Sequence, residues 1–199
     1  MLDWAVAAAG AVADHLVVVL PPSVLAGASS GPELERAPDR LVAGGPTRSA
    51  SVRAGLSAVP ADAEFIVVHD AARPFASAGL FEAVLAAVRD GADGAVCALP
   101  VTDTIKRRTA DGSLETLERS ELVVVQTPQA FRAAALRRAH RGDPEATDDA
   151  ALLEAIGAVV VAVPGEATNA KLTSPEDLSL FEERLALAAR RSATSGGSA

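Results

Sequence analysis

Five short, uninterrupted apolar runs, rich in valine, constrain this chain more than any other feature: residues 16–20, 65–68, 95–99, 122–125 and 158–163. A strand with one wetted face alternates polar and apolar residues. These runs do not alternate, so they read as strands covered on both faces. Between them the spacing turns helical: Leu80, Phe81, Val84, Leu85 and Val88 share a face, as do Leu178, Phe181, Leu185 and Ala189. Strand alternating with helix predicts an α/β fold, a mostly parallel sheet with helices on both faces. Such sheets take ligands beyond the carboxyl ends of their strands.

The last helix has the clearest start, with Ser174 able to cap, Pro175 at the first helical position, and Glu176 and Asp177 set against the helix dipole. It is expected to end near Arg190. Residues 191–199 are small and polar with nothing to bury, and read as a disordered tail. A chain of 199 residues, 49% of them hydrophobic, buries one substantial core, so residues 1–190 are expected to form a single domain. One segment breaks the alternation. Residues 103–118 follow strand-like order around Asp111-Gly112, a hairpin turn, and a lone hairpin is marginal in water, so it is expected to pack against a second subunit.

The net charge of -8 argues against a nucleic-acid backbone or an anionic membrane surface as partner, because both require a basic face. Cys97 is the only cysteine, which leaves neither a disulfide framework nor a thiolate cluster for zinc and fits a cytoplasmic protein. The apolar stretch 5–12 follows Asp3 rather than a basic region and is interrupted at Asp14-His15, so it reads as neither signal peptide nor membrane anchor. Lysine occurs only at Lys106 and Lys171 among plentiful arginines. A lysine retained there suits a task needing a compact ammonium, while the plainer reading of either lysine alone is a neutral leftover of codon usage.

Four runs lead into polar, turn-rich segments: His69-Asp70-Ala71-Ala72-Arg73-Pro74, then residues 100–106, then Gln126-Thr127-Pro128-Gln129-Ala130-Phe131, then residues 164–173. In a parallel sheet these segments converge on one edge, bringing Arg73, Thr104, Thr127 and Lys171 together. Gly44-Gly45 with Arg48 and Ser51 adds main-chain donors before a helix. Cations, hydroxyls and a helix N-terminus are what phosphate groups require, which points to a small anionic substrate. Asp70, leaving a buried strand, can hold a magnesium ion or a substrate hydroxyl. Plainer readings stand beside these: Asp70 and Arg73 as a surface ion pair or turn residues, and Gly44-Gly45 as an ordinary loop. Asp148 and Asp149 read as complements to a helix start, His15 and His140 as solvated or packed, His69 as structural beside the site, and Cys97 as core.

Taken in order, Gly44-Gly45 with Arg48, Ser51 and Val52; residues 67–74; residues 100–106; Thr127-Pro128-Gln129; Thr147-Asp148-Asp149-Ala150; and Asn169-Ala170-Lys171-Leu172-Thr173 followed by Pro175-Glu176-Asp177-Leu178 resemble the 2-C-methyl-D-erythritol 4-phosphate cytidylyltransferases of non-mevalonate isoprenoid synthesis. The resemblance covers about residues 1–190. It implies a Rossmann-like fold of the nucleotide-diphospho-sugar transferase type, with residues 101–121 as a dimer arm. It further implies that the phosphate of methylerythritol phosphate attacks the α-phosphate of CTP and releases pyrophosphate, with Mg2+ or another divalent cation on the triphosphate. By the match, Arg119 and Lys171 position the attacking phosphate, and Asp70, Arg73, Thr104 and Thr127 line the sugar-phosphate site. Gly45, Arg48 and Ser51 belong to the nucleotide side. The arm carries Thr104 and Arg119 toward a partner's site in a homodimer, and a cytidylyltransferase for another polyol phosphate, such as ribitol 5-phosphate, shares much of the set.

The resemblance departs at the front. The family opens with a strand and a glycine-rich, basic loop that wraps the triphosphate, and Ala8-Ala9-Gly10 only echoes it, because it precedes a strand instead of following one. The expectation is therefore a chain whose first strand and loop are missing, either through a start set too late or because it is an inactive remnant or non-catalytic dimer partner. The undegraded motifs favour the late start.

Overall fold

The computed structural model describes residues 1–27, 36–174, 176, 177 and 179, and the chain divides into two compact units, Met1–Asn169 and Ala170–Ala199. In chain order the elements of the first unit are α1 (Leu2–Gly10), β1 (Val17–Leu20), α2 (Pro22–Gly27), β2 (Arg40–Ala43), α3 (Arg48–Ala58), β3 (Phe65–Val68), α4 (Ala78–Arg89) and β4 (Gly94–Pro100). There follow β5 (Lys106–Arg108), β6 (Leu114–Thr116), a single 3-10 turn at Arg119–Glu121, β7 (Val123–Arg132), α5 (Ala133–Ala139), α6 (Asp149–Ala155) and β8 (Val160–Pro164). All five apolar runs are strands, but the run 122–125 is not covered on both faces as expected: Val123, Val124 and Val125 are exposed, because this half of β7 extends past β3 and has β4 alone beside it. The strand that escaped the periodicity is β2, whose Leu41-Val42 is too short to register as a run.

Four strands form one sheet in the order β3-β7-β4-β8, and β1 and β2 pair in parallel separately. The sheet is mixed: β4 and β8 are parallel, while β7 runs antiparallel to both β3 and β4. The cause is connectivity. Parallel neighbours need a crossover, usually a helix, but β4 passes into the β5–β6 hairpin and returns directly as β7, so β7 must run backwards. The hairpin pairs Lys106 with Thr116 and Arg108 with Leu114, and turns at Gly112, whose φ of 86° suits glycine.

Successive residues on a strand face opposite sides, and the core follows that rule. Ile66, Val96 and Phe131 meet α5 and α6 through Leu136, Leu152 and Leu153. Ala95, Cys97 and Ala130 meet the apolar face of α4, whose Leu80, Phe81, Val84, Leu85 and Val88 are all buried. Each such side chain contributes about 1.5–3 kcal/mol of burial. Ser77 starts α4 by accepting from the Leu80 amide.

In the second unit Ser174 and Asp177 form a reciprocal cap: the Asp177 amide donates to Ser174 Oγ (3.3 Å), and the Ser174 amide donates to Asp177 Oδ2 (2.9 Å). The expected helix start is therefore present. Pro175, the helix's continuation to Arg190 and the tail 191–199 lie outside the described residues, apart from residues 176, 177 and 179.

Candidate active site

The carboxyl ends of β3, β4 and β8 lie at one edge of the sheet, and β7 crosses that edge in the opposite direction. Residues 126–131 were expected as a loop after a strand, but they continue β7, because an antiparallel strand ten residues long overhangs the short β3. Thr127 and Pro128 drop out of the ladder with β4, whose register jumps from Val96 opposite Gln129 to Cys97 opposite Gln126. This bulge frees Thr127 to bond beyond the ladder.

Thr127 Oγ1 accepts from the Asp70 amide at 3.0 Å and lies 3.2 Å from His69 Nδ1, while His69 Nε2 lies 3.1 Å from the Arg73 carbonyl. The Arg73 amide donates to the Asp70 carbonyl at 2.9 Å, closing Asp70 to Arg73 into a tight turn. Arg73 Nη1 donates to the Asn169 carbonyl at 2.8 Å, and its Nε is buried without a hydrogen-bond partner among the described residues. Burial lowers the pKa of this guanidinium, with Asp70 opposing. Asp70, Arg73 and Thr127 are thus brought together, Thr127 from within an antiparallel strand rather than from a loop beyond a parallel one.

Two amides absent from the predicted set hold the loop after β8 against β7. Gln126 Nε2 donates to the carbonyls of Glu166 (3.0 Å) and Asn169 (3.2 Å), its Oε1 accepts from the Glu166 amide, and Asn169 Nδ2 donates to the Thr127 carbonyl at 2.8 Å. Gln126 is 4% exposed and Asn169 0%, so each bond replaces lost water. Both stand within motif segments. Only their burial separates them from ordinary loop amides.

Arg48, predicted for the nucleotide side, lies between carboxylates: its Nε is 3.4 Å from Asp70 Oδ1 and its Nη1 is 2.9 Å from Asp149 Oδ2. The second approach is an ion contact, and neither atom has a hydrogen-bond partner among the described residues. Burial works to lower the Arg48 pKa, but the charges of Asp149 and Asp70 outweigh it and raise it. Asp149 stands in the first turn of α6 as expected, yet it is fully buried and also meets His140 Nε2 at 2.9 Å; His140 is packed, not solvated. Asp148 caps α6 through the Ala151 amide and accepts from Gln129 Nε2 at 3.0 Å.

At the corner expected to face the nucleotide, Gly45 N donates to Ser51 Oγ at 3.2 Å, and Ser51 Oγ donates to the Thr47 carbonyl at 2.9 Å. Thr47 caps α3 through the Ala50 amide. Gly45 packs directly on the helix: a Cβ there would come within 2.5 Å of the Ala50 Cβ. Thr104 and Arg119 stand exposed on the arm, where Arg119 Nη1 donates to the Thr102 carbonyl at 2.8 Å. A cleft of about 570 Å³ opens beside Arg119, lined also by Pro100, Val123, Pro164 and Gly165. Lys171 lies exposed in the second unit.

Residues 1–186 match the family model described as IspD, 2-C-methyl-D-erythritol 4-phosphate cytidylyltransferase. The chain is 50% identical over 178 residues to a bifunctional enzyme IspD/IspF of Anaeromyxobacter dehalogenans, covering 83% of the chain and 44% of that relative. It is 47% identical over 152 residues to the 2-C-methyl-D-erythritol 4-phosphate cytidylyltransferase of Rubrobacter xylanophilus, covering 74% of the chain and 66% of that protein. The chain spans less than half the length of the bifunctional relatives it matches. The crystal structure of the 2-C-methyl-D-erythritol 4-phosphate cytidylyltransferase from Thermus thermophilus superposes with a TM-score of 0.78 at 38% identity, covering 92% of this chain and 88% of that one.

Proposed function

The chain belongs to the 2-C-methyl-D-erythritol 4-phosphate cytidylyltransferase family, and on that premise we propose that it transfers a cytidylyl group from CTP to 2-C-methyl-D-erythritol 4-phosphate in non-mevalonate isoprenoid synthesis. A phosphate oxygen of the polyol phosphate bonds to the α-phosphorus as the α–β bridging bond breaks and pyrophosphate leaves. The protein's task is positioning and charge stabilisation. The observation that carries this reading is the joining of Asp70, Arg73 and Thr127 at the carboxyl edge of the sheet.

In this proposal Asp70 accepts a polyol hydroxyl, Arg73 and Thr104 line the same pocket, Lys171 and Arg119 meet the attacking phosphate, and the Gly45 main chain with Ser51 borders the cytidine. Arg48 serves by holding the Asp70 carboxylate. A divalent cation such as magnesium would neutralise the triphosphate. No cluster of three or more ligating side chains occurs among the described residues, and Asp70 already faces Arg48, so phosphate oxygens would supply most of its ligands. The hairpin arm is proposed to make the homodimer contact, its exposed Leu114 (62%) and Ile105 (37%) being covered by a second copy. The cytoplasm is the proposed compartment, in keeping with the lone reduced Cys97; no helix among the described residues is long and apolar enough to cross a membrane.

Pyrophosphate release from CTP and methylerythritol phosphate, assayed with magnesium on the 199-residue chain, tests the proposal. Lys171→Ala is expected to lower kcat about a hundredfold, as loss of a transition-state charge contact does. Faster turnover of ribitol 5-phosphate in a parallel assay would reassign the substrate. Absence of both transfer and CTP binding by calorimetry would reject the enzyme and favour a non-catalytic dimer partner. Sedimentation of a variant lacking residues 103–118 checks the arm, with a shift from dimer to monomer expected.

A further inference from the structure

Three histidines occur in the chain, and one of them, His69, bonds to Arg73 and Thr127 of the site while no role in the transfer has been assigned to it. The His69 ring packs on Phe81, with centroids 5.0 Å apart, and bridges two partners: Nε2 is 3.1 Å from the Arg73 carbonyl and Nδ1 is 3.2 Å from Thr127 Oγ1. Counting donors and acceptors leaves one arrangement for a neutral ring. A carbonyl only accepts, so Nε2 carries the hydrogen and donates to Arg73; Nδ1 is then an acceptor, and among the described residues its hydrogen-bond partner is the Thr127 hydroxyl. Thr127 Oγ1 in turn accepts from the Asp70 amide.

We infer that His69 is a positioning residue, held as the Nε2–H tautomer, which clamps the turn from Asp70 to Arg73 at both ends and commits the Thr127 hydroxyl hydrogen inward. Two consequences follow for the substrate, on the functional reading given above. Asp70 and Arg73 are held at a fixed separation by a ring that bonds to the main chain of one and, through Thr127, to the main chain of the other. Thr127 offers a ligand only its remaining lone pair, so it takes a donor such as a polyol hydroxyl and not a phosphate oxygen. Burial keeps the ring neutral at physiological pH, its pKa falling from 6.5 to about 4.

The tautomer is directly readable. In uniformly 15N-labelled chain at pH 7, long-range proton–nitrogen correlation of the imidazoles, with His69 assigned by its loss in His69→Gln, is expected to show hydrogen on Nε2 and none on Nδ1. A ring protonated on Nδ1, or on both nitrogens, would overturn the inference. Kinetics supply the second arm. His69→Ala is expected to raise KM for the polyol phosphate about tenfold, about 1.4 kcal/mol, with kcat and KM for CTP nearly unchanged. His69→Gln, whose amide reaches the Arg73 carbonyl, should recover most of that loss.

Thr127→Val should raise KM at least as much as His69→Ala, since it removes both the clamp's hydroxyl and the lone pair offered to the substrate, and the double variant should lose less than the sum of the two, because the Thr127 end of the clamp is shared. Additive losses, or an unaltered KM in His69→Ala, would overturn the positioning role; should His69→Ala fail to fold, Thr127→Val and His69→Gln carry the comparison. The tautomer readout requires no turnover. An Nε2–H ring in a chain that transfers no cytidylyl group would therefore count against the functional reading and leave the clamp standing.

Discussion

His69 and Cys97 both pack against α4, and burial moves their titrations in opposite directions. Desolvation disfavours the charged form of each, so the His69 pKa falls to about 4 and the Cys97 thiol is pushed up to about 12. An unfolded histidine takes its proton near 6.5, so between 6.5 and about 4 the unfolded chain binds more protons than the folded one. The stability the neutral ring contributes is complete above 6.5 and is lost as pH falls toward 4, at up to about 1.4 kcal/mol per pH unit. Urea unfolding at pH 7 and pH 5 should show the parent chain losing about 2 kcal/mol more than His69→Gln. For Cys97 the same physics predicts inertness. The native chain should resist alkylation by iodoacetamide at pH 8 and react once unfolded, as followed by mass spectrometry.

At the scale of elements, α3 and its approach depend on Gly45. The main chain there lies so close to the helix that an alanine methyl would meet the Ala50 Cβ at 2.5 Å and its carbonyl carbon at 3.1 Å. Neither neighbour is a flexible tip, so the turn must open. Gly45→Ala is expected to cost about 1–3 kcal/mol in urea unfolding, and to weaken CTP binding by moving the main chain proposed to border the cytidine. The Ser51 and Thr47 side chains close the same turn, which is why a Gly-Gly pair followed by small hydroxyl residues was readable as a loop entering a helix. The direction of β7 was not read: the hairpin around Asp111-Gly112 was recognised, but the run 122–125 was placed in a mostly parallel sheet, and it gave no sign that the strand continues through Pro128 to Arg132.

Across the first unit, the contacts of Asp149 join four segments: α6, which carries it; Arg48 at the start of α3; through Arg48, the Asp70 turn; and His140 after α5. A buried ion pair is weak grounds for stability, yet breaking one leaves an uncompensated charge. Asp149→Ala should therefore destabilise the chain by about 3–5 kcal/mol in urea unfolding. If the variant still folds, it should also raise KM for the polyol phosphate, since Arg48 would no longer be held from both sides. An Asp149→Ala chain as stable as the parent would show that Arg48 finds adequate solvent there.

Local order was determined by the sequence alone. Unbroken valine runs had to become strands, though not all of them covered ones, since Val123, Val124 and Val125 stand exposed; Leu80 to Val88 had to form an amphipathic helix; and Ser174 with Asp177 had to cap one, because each of these depends on residues a turn or two apart. The motif order likewise carried the family. Meetings between distant segments were left to the tertiary structure: Thr127 reaches the β3 turn only because β7 runs antiparallel and bulges, Asp149 turns from a helix-start acid into a buried counter-ion only where Arg48 arrives, and Gln126 and Asn169 become a lock only once water is excluded. Periodicity records which side chains avoid water. It does not record which partner, far along the chain, replaces the water that a buried polar group has lost.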